Sequence, residues 1–147
     1  MDKVTVKIIN KSEYPLPEYA TVGSSGCDLR ANSELPITVK PFERLAVPTG
    51  LYIQLPKGYE AQIRSRSGLT LKHGIVVANG IGTIDSDYRG EISVILVNIS
   101  NEDYTISPGE KIAQMVISNY IQADFELCET LDDTSRGSGG FGHSGKL

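Results

Sequence analysis

Apolar and polar residues alternate with a period of two along most of the chain. Val4–Ile8, Pro36–Lys40 and Tyr59–Arg64 each alternate in this way. That is the pattern of a strand with one buried face. Glu91–Ile99 is longer and more continuously apolar, which predicts a central strand. Tyr104–Ile106 and Ile112–Ile117 follow, separated by Ser107-Pro108-Gly109, and Asp124–Glu129 closes the series. Asn79–Gly90 reads as two short strands in a hairpin about a glycine-rich reversal, ending in a second polar turn. Only Ser67–Gly74 reads as helical, with Gly74 as its stop. Short strands cut by Pro and Gly predict an all-β sandwich or barrel with one short helix. No internal repeat is present.

Composition changes at about Asp132. From there Gly and Ser dominate, and Phe141 and Leu147 are the only large apolar residues. Such a segment cannot bury enough surface to fold alone. The expected organisation is a domain over residues 1–131 and a flexible glycine-rich C-terminal tail over 132–147. A chain of 147 residues fits a single domain and buries roughly 70% of its unfolded surface without staples.

The formal net charge is −4. This argues against a nucleic-acid polymer as partner, which demands a basic face, and leaves room for a single nucleotide. Two cysteines, Cys27 and Cys128, and two histidines are too few for a thiol-histidine metal site; two reduced thiols are expected. The first residues carry no apolar signal region, and no apolar run approaches a membrane span. A soluble, cytoplasmic protein without a membrane partner is the expectation.

Five segments carry candidate chemistry. Ser25-Gly-Cys-Asp-Leu-Arg30 places Asp28 at the end of a small loop, where a carboxylate can hold the waters of Mg²⁺ or simply bond its own turn. Arg64-Ser-Arg-Ser-Gly-Leu69 lies where a strand enters the helix, and Arg66 with Ser67 can cradle a phosphate at the helix start. Asn79–Gly90 presents Asp85, Asp87, Tyr88 and Arg89 within five positions. Pro108-Gly-Glu-Lys-Ile-Ala-Gln114 is a turn leading Gln114 into a strand. Arg136–Gly145 offers consecutive glycine N–H groups for an anion, a guanidinium fork in Arg136 and the Ser144 hydroxyl. Its Phe141 sits where no core can use it, and can stack on a base. Gly140–Lys146 imitates a Walker loop. It lacks the final Ser or Thr and the flanking strand and helix, so a P-loop NTPase is not the expectation.

In this order the five segments resemble the five motifs of the trimeric dUTPase family, over nearly the whole chain. The resemblance implies a jelly-roll β-barrel assembled as a homotrimer, with active sites shared between subunits and a tail closing over each. It implies hydrolysis of dUTP to dUMP and diphosphate with Mg²⁺. Carried over, Asp85 is the general base acting on the attacking water. Tyr88 lies under the deoxyribose and excludes a 2′-hydroxyl. Asn79, Gly82, Thr83 and Ile84 read the uracil edge, and Phe141 caps the base. Arg66, Ser67, Gly68, Gln114, Arg136, Gly142, His143 and Ser144 hold phosphate. Asp28 holds magnesium through water. Ser25, Ser65 and Gly80 depart from the usual family pattern, and none is a catalytic group.

Two alternatives follow. A dCTP deaminase shares the fold implied, but the position of its glutamate is occupied here by Ile95, which cannot shuttle protons. A non-catalytic nucleotide-binding trimeric scaffold or regulator would be marked by loss of Asp85 or Arg136; both are present.

Overall fold

The structure is a computed structural model describing residues 3–141. The described residues form eleven strands and one helix in the order β1 (Lys7–Asn10), β2 (Cys27–Arg30), β3 (Ile37–Val39), β4 (Arg44–Pro48), β5 (Leu51–Gln54), β6 (Tyr59–Arg64), α1 (Ser67–His73), β7 (Ile75–Val77), β8 (Ile81–Ile84), β9 (Ser93–Asn98), β10 (Tyr104–Ile106) and β11 (Lys111–Asn119). The mostly-β architecture with one short helix is thus as expected. Tyr59–Arg64 and Tyr104–Ile106 have the bounds that alternation predicts. The helix ends at Gly74, whose left-handed backbone (φ 66°) lets its N–H reach the carbonyls of Leu69 and Thr70.

Every strand pairing is antiparallel. The larger sheet has the order β2-β11-β6-β8, and a second has the order β4-β9-β7. Two further ladders join β1 to β5 and β10 to β3. β9 is central in its sheet, as its apolar run predicts. Side chains from all these ladders meet in one core, with Leu29, Ile75, Ile92, Leu96, Ile106 and Ile112 fully buried. Burial of each such side chain stabilises the fold by about 1.5–3 kcal/mol.

The buried Asn98 locks the end of β9. Its amide donates to the carbonyls of Val39 (2.9 Å) and Glu102 (2.7 Å), and its oxygen accepts from the Ser100 N–H (2.9 Å) and hydroxyl (2.7 Å). A buried polar group is tolerated when so satisfied.

Two turns repeat one design. Lys40-Pro41-Phe42-Glu43 leads into β4, and Ser107-Pro108-Gly109-Glu110 leads into β11. In each, the glutamate N–H closes the turn at 3.0 Å, and the glutamate carboxylate accepts from the first residue's N–H. Both turns need positive φ at the third residue. Gly109 supplies it at 76°, whereas Phe42 adopts 61°.

Three expectations need correction. Asp124–Glu129 forms no strand, because among the described residues no strand lies alongside it; Phe125 and Leu127 are exposed. Asp28 lies within β2 rather than at a loop end, with Cys27 and Leu29 buried on either side of it. Asn79–Gly90 is no hairpin of two strands, since Ile81–Ile84 is the one strand described within it. β7 pairs with β9 and β8 pairs with β6, so the reversal between them carries the chain from one sheet to the other. Beyond Tyr120 the described chain is exposed except for a half-buried Gly139.

Candidate active site

The order β2-β11-β6-β8 brings three of the five segments together. Gln114 on β11 stands opposite Asp28 on β2 and opposite Arg64 on β6. Residues directly opposite on antiparallel strands share a face, so Asp28, Gln114 and Arg64 lie in one row. Two residues past Arg64 the chain enters α1, with Arg66 as its N-cap. The Arg66 Nε meets Asp28 Oδ1 at 3.0 Å, and its Nη1 donates to the Lys111 carbonyl at 2.9 Å. The Gln114 amide donates to the Ser65 carbonyl at 3.1 Å. A side chain at Gly26 would stand 2.8 Å from Gln114 Oε1, so the glycine before β2 makes room for this amide. Ser67 and Gly68 follow, exposed, in the first turn of α1.

Lys111 completes this group, and sequence reasoning missed it. Its Nζ lies 2.8 Å from Asp28 Oδ2. Lys111 and Gln114 are three apart and would face opposite sides of a regular strand. A register shift between Lys111 and Ala113 sets Lys111 opposite Arg30, on the same face as Asp28. Bulges re-aim side chains in this way, and nothing in the local sequence announces this one. Ser65 also does more than connect: its hydroxyl accepts from the Val77 N–H at 2.8 Å, tying the clasp to the β7–β8 crossover.

One carboxylate with two cations leaves this clasp with a net positive charge. It is half-buried, which suits anions that must be held yet exchanged. No group of three or more His, Cys, Asp or Glu side chains that could hold a metal occurs among the described residues. Asp28 is a single hard oxygen ligand, of the kind that can hold a magnesium ion through its waters beside phosphate oxygens.

The crossover lies at the same end of the sheet. Gly80 takes φ 73°, and its N–H donates to the Val77 carbonyl at 3.0 Å. Gly82 is buried against β6, where a Cβ would approach the Ile63 Cβ to 3.1 Å. Asn79 is exposed, with its amide beside Gly82. Thr83 is exposed and Ile84 half-buried.

Asp85 stands elsewhere. β8 runs from Ile81, opposite Arg64, to Ile84, opposite Ala61. One residue on, Asp85 is at the far end of the sheet, roughly 13 Å along the strand from the Arg64 row at about 3.3 Å per residue. A ladder separates the two ends: Arg64 Nη2 donates to Gln62 Oε1 at 2.5 Å, and Gln62 Nε2 to Glu60 Oε1 at 2.7 Å. Asp85 there borders an open cleft of about 820 Å³ with Glu60, Lys57 and Tyr120. The turn after it closes through the Tyr88 N–H on the Asp85 carbonyl (3.1 Å). Arg89 fixes that turn, donating to the carbonyls of Ser86 and Tyr88. The Tyr88 ring is partly exposed, and its hydroxyl donates to the Glu91 carbonyl at 3.1 Å.

Among the described residues of the tail, the hydrogen bonds are local. Arg136 donates to the Gly139 carbonyl at 2.8 Å, within its own turn. Phe141 is fully exposed at φ 45°. Gly142, His143 and Ser144 lie outside the described residues. Beside the clasp, Cys27 is buried, with its thiol toward the Met115 carbonyl, and burial pushes its pKa up; a thiol in that state is unreactive. Tyr104 donates its hydroxyl to Glu110. Burial, then this carboxylate, push the phenol above its ordinary range, while Arg66 opposes the shift.

Comparison with known proteins gives a consistent result. The dUTPase family model matches residues 12–145. A deoxyuridine 5′-triphosphate nucleotidohydrolase from Finegoldia magna is 61% identical over 140 residues, covering 95% of this chain and 98% of the relative. One of the same name from Fusobacterium nucleatum is 55% identical, covering 99% and 100%. Among solved structures, the dUTPase of Staphylococcus bacteriophage 80alpha, a G164S mutant with dUpNHpp, superposes with a TM-score of 0.86 at 24% identity, covering 96% of this chain and 98% of that one. No described helix is long and apolar enough to cross a membrane.

Proposed function

Because the chain belongs to the dUTPase family, we propose that it hydrolyses dUTP to dUMP and diphosphate, by attack of water on the α-phosphorus. This would supply dUMP for thymidylate synthesis and keep uracil out of DNA. The observation that carries the reading is the clasp: Arg66 and Gln114, far apart in sequence, converge beside Asp28 at the start of α1. A planar guanidinium, an amide and exposed backbone N–H groups suit a polyphosphate.

The site is shared between the chains of a homotrimer of jelly-roll barrels. A general base must reach the reacting atoms directly or through one water. Asp85 lies at the wrong end of its own sheet to serve the clasp of the same chain, so it serves the clasp of a neighbour. The exposed Ile121, Phe125, Leu127 and Leu131 support the same assembly. Phe125 and Leu127 fall on one side of a period-two segment that lacks a partner in its own chain. Packed on a neighbouring subunit, residues 121–131 complete the folded domain. The tail then starts at 132.

Within such a site Asp85 orients and deprotonates the water. Tyr88 lies under the sugar and leaves no space for a 2′-hydroxyl. Asn79, Gly82, Thr83 and Ile84 present fixed donors and acceptors to uracil, and a base with the exchanged pattern leaves them unpaired, which discriminates strongly. Arg66, Ser67, Gly68 and Gln114 hold the phosphate chain. Arg136, Gly142, His143 and Ser144 of the tail reach its end, and Phe141 caps the base. Asp28 holds waters of magnesium; the metal, when bound, neutralises charge on the triphosphate. The cytoplasm, where nucleotides are made, is the matching location.

The test is diphosphate release with Mg²⁺ from dUTP, dTTP, dCTP and UTP. Release from dUTP alone supports the reaction, the base reader and the sugar filter together. Binding of dUTP without release from any of the four would favour a non-catalytic scaffold.

A further inference from the structure

We propose that Lys111 is a built-in counter-cation for Asp28, which keeps the divalent ion off this carboxylate until nucleotide draws Arg66 away. The proposal rests on the dUTPase reading and adds an order of binding to it.

The geometry is specific. Each oxygen of Asp28 has its own cation, Arg66 Nε at 3.0 Å on Oδ1 and Lys111 Nζ at 2.8 Å on Oδ2. The two cations are also tied to one another, because Arg66 Nη1 bonds the Lys111 carbonyl. Lys111 owes its place to the irregularity of β11, without which its side chain would leave the face of Asp28. A strand distortion that delivers an ammonium to one carboxylate is a built feature.

The consequence is electrostatic. A hydrated divalent ion reaching Asp28 in the free protein meets an ammonium and a guanidinium already in place, and like charges repel it. A triphosphate changes both terms. Its oxygens compete for the guanidinium fork of Arg66, which frees Oδ1, and its negative charge offsets the repulsion. Lys111, a single point charge on a flexible stem, stays on Oδ2 and keeps the carboxylate oriented. All three side chains are partly exposed, between 27% and 41%, so partners can be exchanged without opening the core. Nucleotide and metal then bind cooperatively, each raising the other's affinity by the same factor.

The experiment is titration of the whole protein with Mn²⁺, reading free Mn²⁺ by electron paramagnetic resonance, with and without a saturating α,β-imido analogue of dUTP. Wild type should bind Mn²⁺ weakly alone and more tightly with the analogue. Lys111→Met should bind Mn²⁺ roughly tenfold more tightly without nucleotide, and the enhancement by nucleotide should shrink accordingly. Lys111→Gln serves as a second neutral variant, and Lys111→Arg, which keeps the charge, should resemble wild type. Equal Mn²⁺ affinity of wild type and both neutral variants without nucleotide overturns the proposal alone. Failure of wild type to bind the analogue overturns the dUTPase reading beneath it.

Discussion

The Tyr88 ring lies across the α-carbon of Gly90, so closely that a Cβ at position 90 would stand 2.5 Å from Tyr88 Cζ. No real side chain accepts such a contact. Glycine is required here for the ring's sake, since an alanine would push the ring off its seat. Gly90→Ala should therefore damage sugar selection. The ratio of kcat/KM for dUTP to that for UTP should fall at least roughly tenfold, the scale of a misfitted contact in a binding pocket. An unchanged ratio would remove Tyr88 from the role of sugar filter.

Asp85 is exposed at the end of β8, without an ion-pair partner among the described residues. Asp85→Asn keeps its size and leaves the turn bond from Tyr88, which uses the backbone carbonyl. Affinity for the imido analogue should persist, while kcat falls by roughly 10²–10⁴, the worth of general-base catalysis. Near-normal turnover would refute the assignment.

The described tail makes only local bonds, such as Gly137 N–H to the Thr134 carbonyl at 3.0 Å. Among the described residues, removing 134–147 therefore breaks no hydrogen bond to the body. Turnover should collapse, and sedimentation should still find trimers. If the truncated chain is monomeric, the tail is structural.

Phe42 holds a left-handed backbone, costing an L-residue about 1–2 kcal/mol, and its ring is largely exposed. Phe42→Gly relieves that strain, and the greater freedom of glycine in the unfolded chain offsets part of the gain. The net effect should be a stabilisation of about 0.5–1 kcal/mol, read as a higher urea midpoint. A lower midpoint would mean that the ring makes contacts in the assembled protein.

Local features were legible in the sequence and pairings were not. Alternation placed Tyr59–Arg64, and the glycine stop placed the end of α1, because both depend on neighbours in the chain. The hairpin assigned to Asn79–Gly90 failed on partner choice: the one strand described there, β8, bonds to β6, and period-two patterning does not say which strand lies alongside. Asp124–Glu129 failed for a related reason, having strand character but no ladder in its own chain. The clasp was half visible. Arg66, Gln114 and Asp28 stood out by motif, whereas Lys111 reaches Asp28 through a bulge that only the register reveals.

Arg66 and Asp85 occupy opposite ends of one sheet, and this has a genetic reading. In the shared-pocket trimer proposed above, a polypeptide contributes its clasp to one pocket and its carboxylate to another, and need not be intact to be useful. Two defective alleles, Arg66→Ala and Asp85→Asn, should each be inactive alone. When the two chains are unfolded together and reassembled, a fraction of pockets should draw both intact halves from different parents, and activity should return to that fraction.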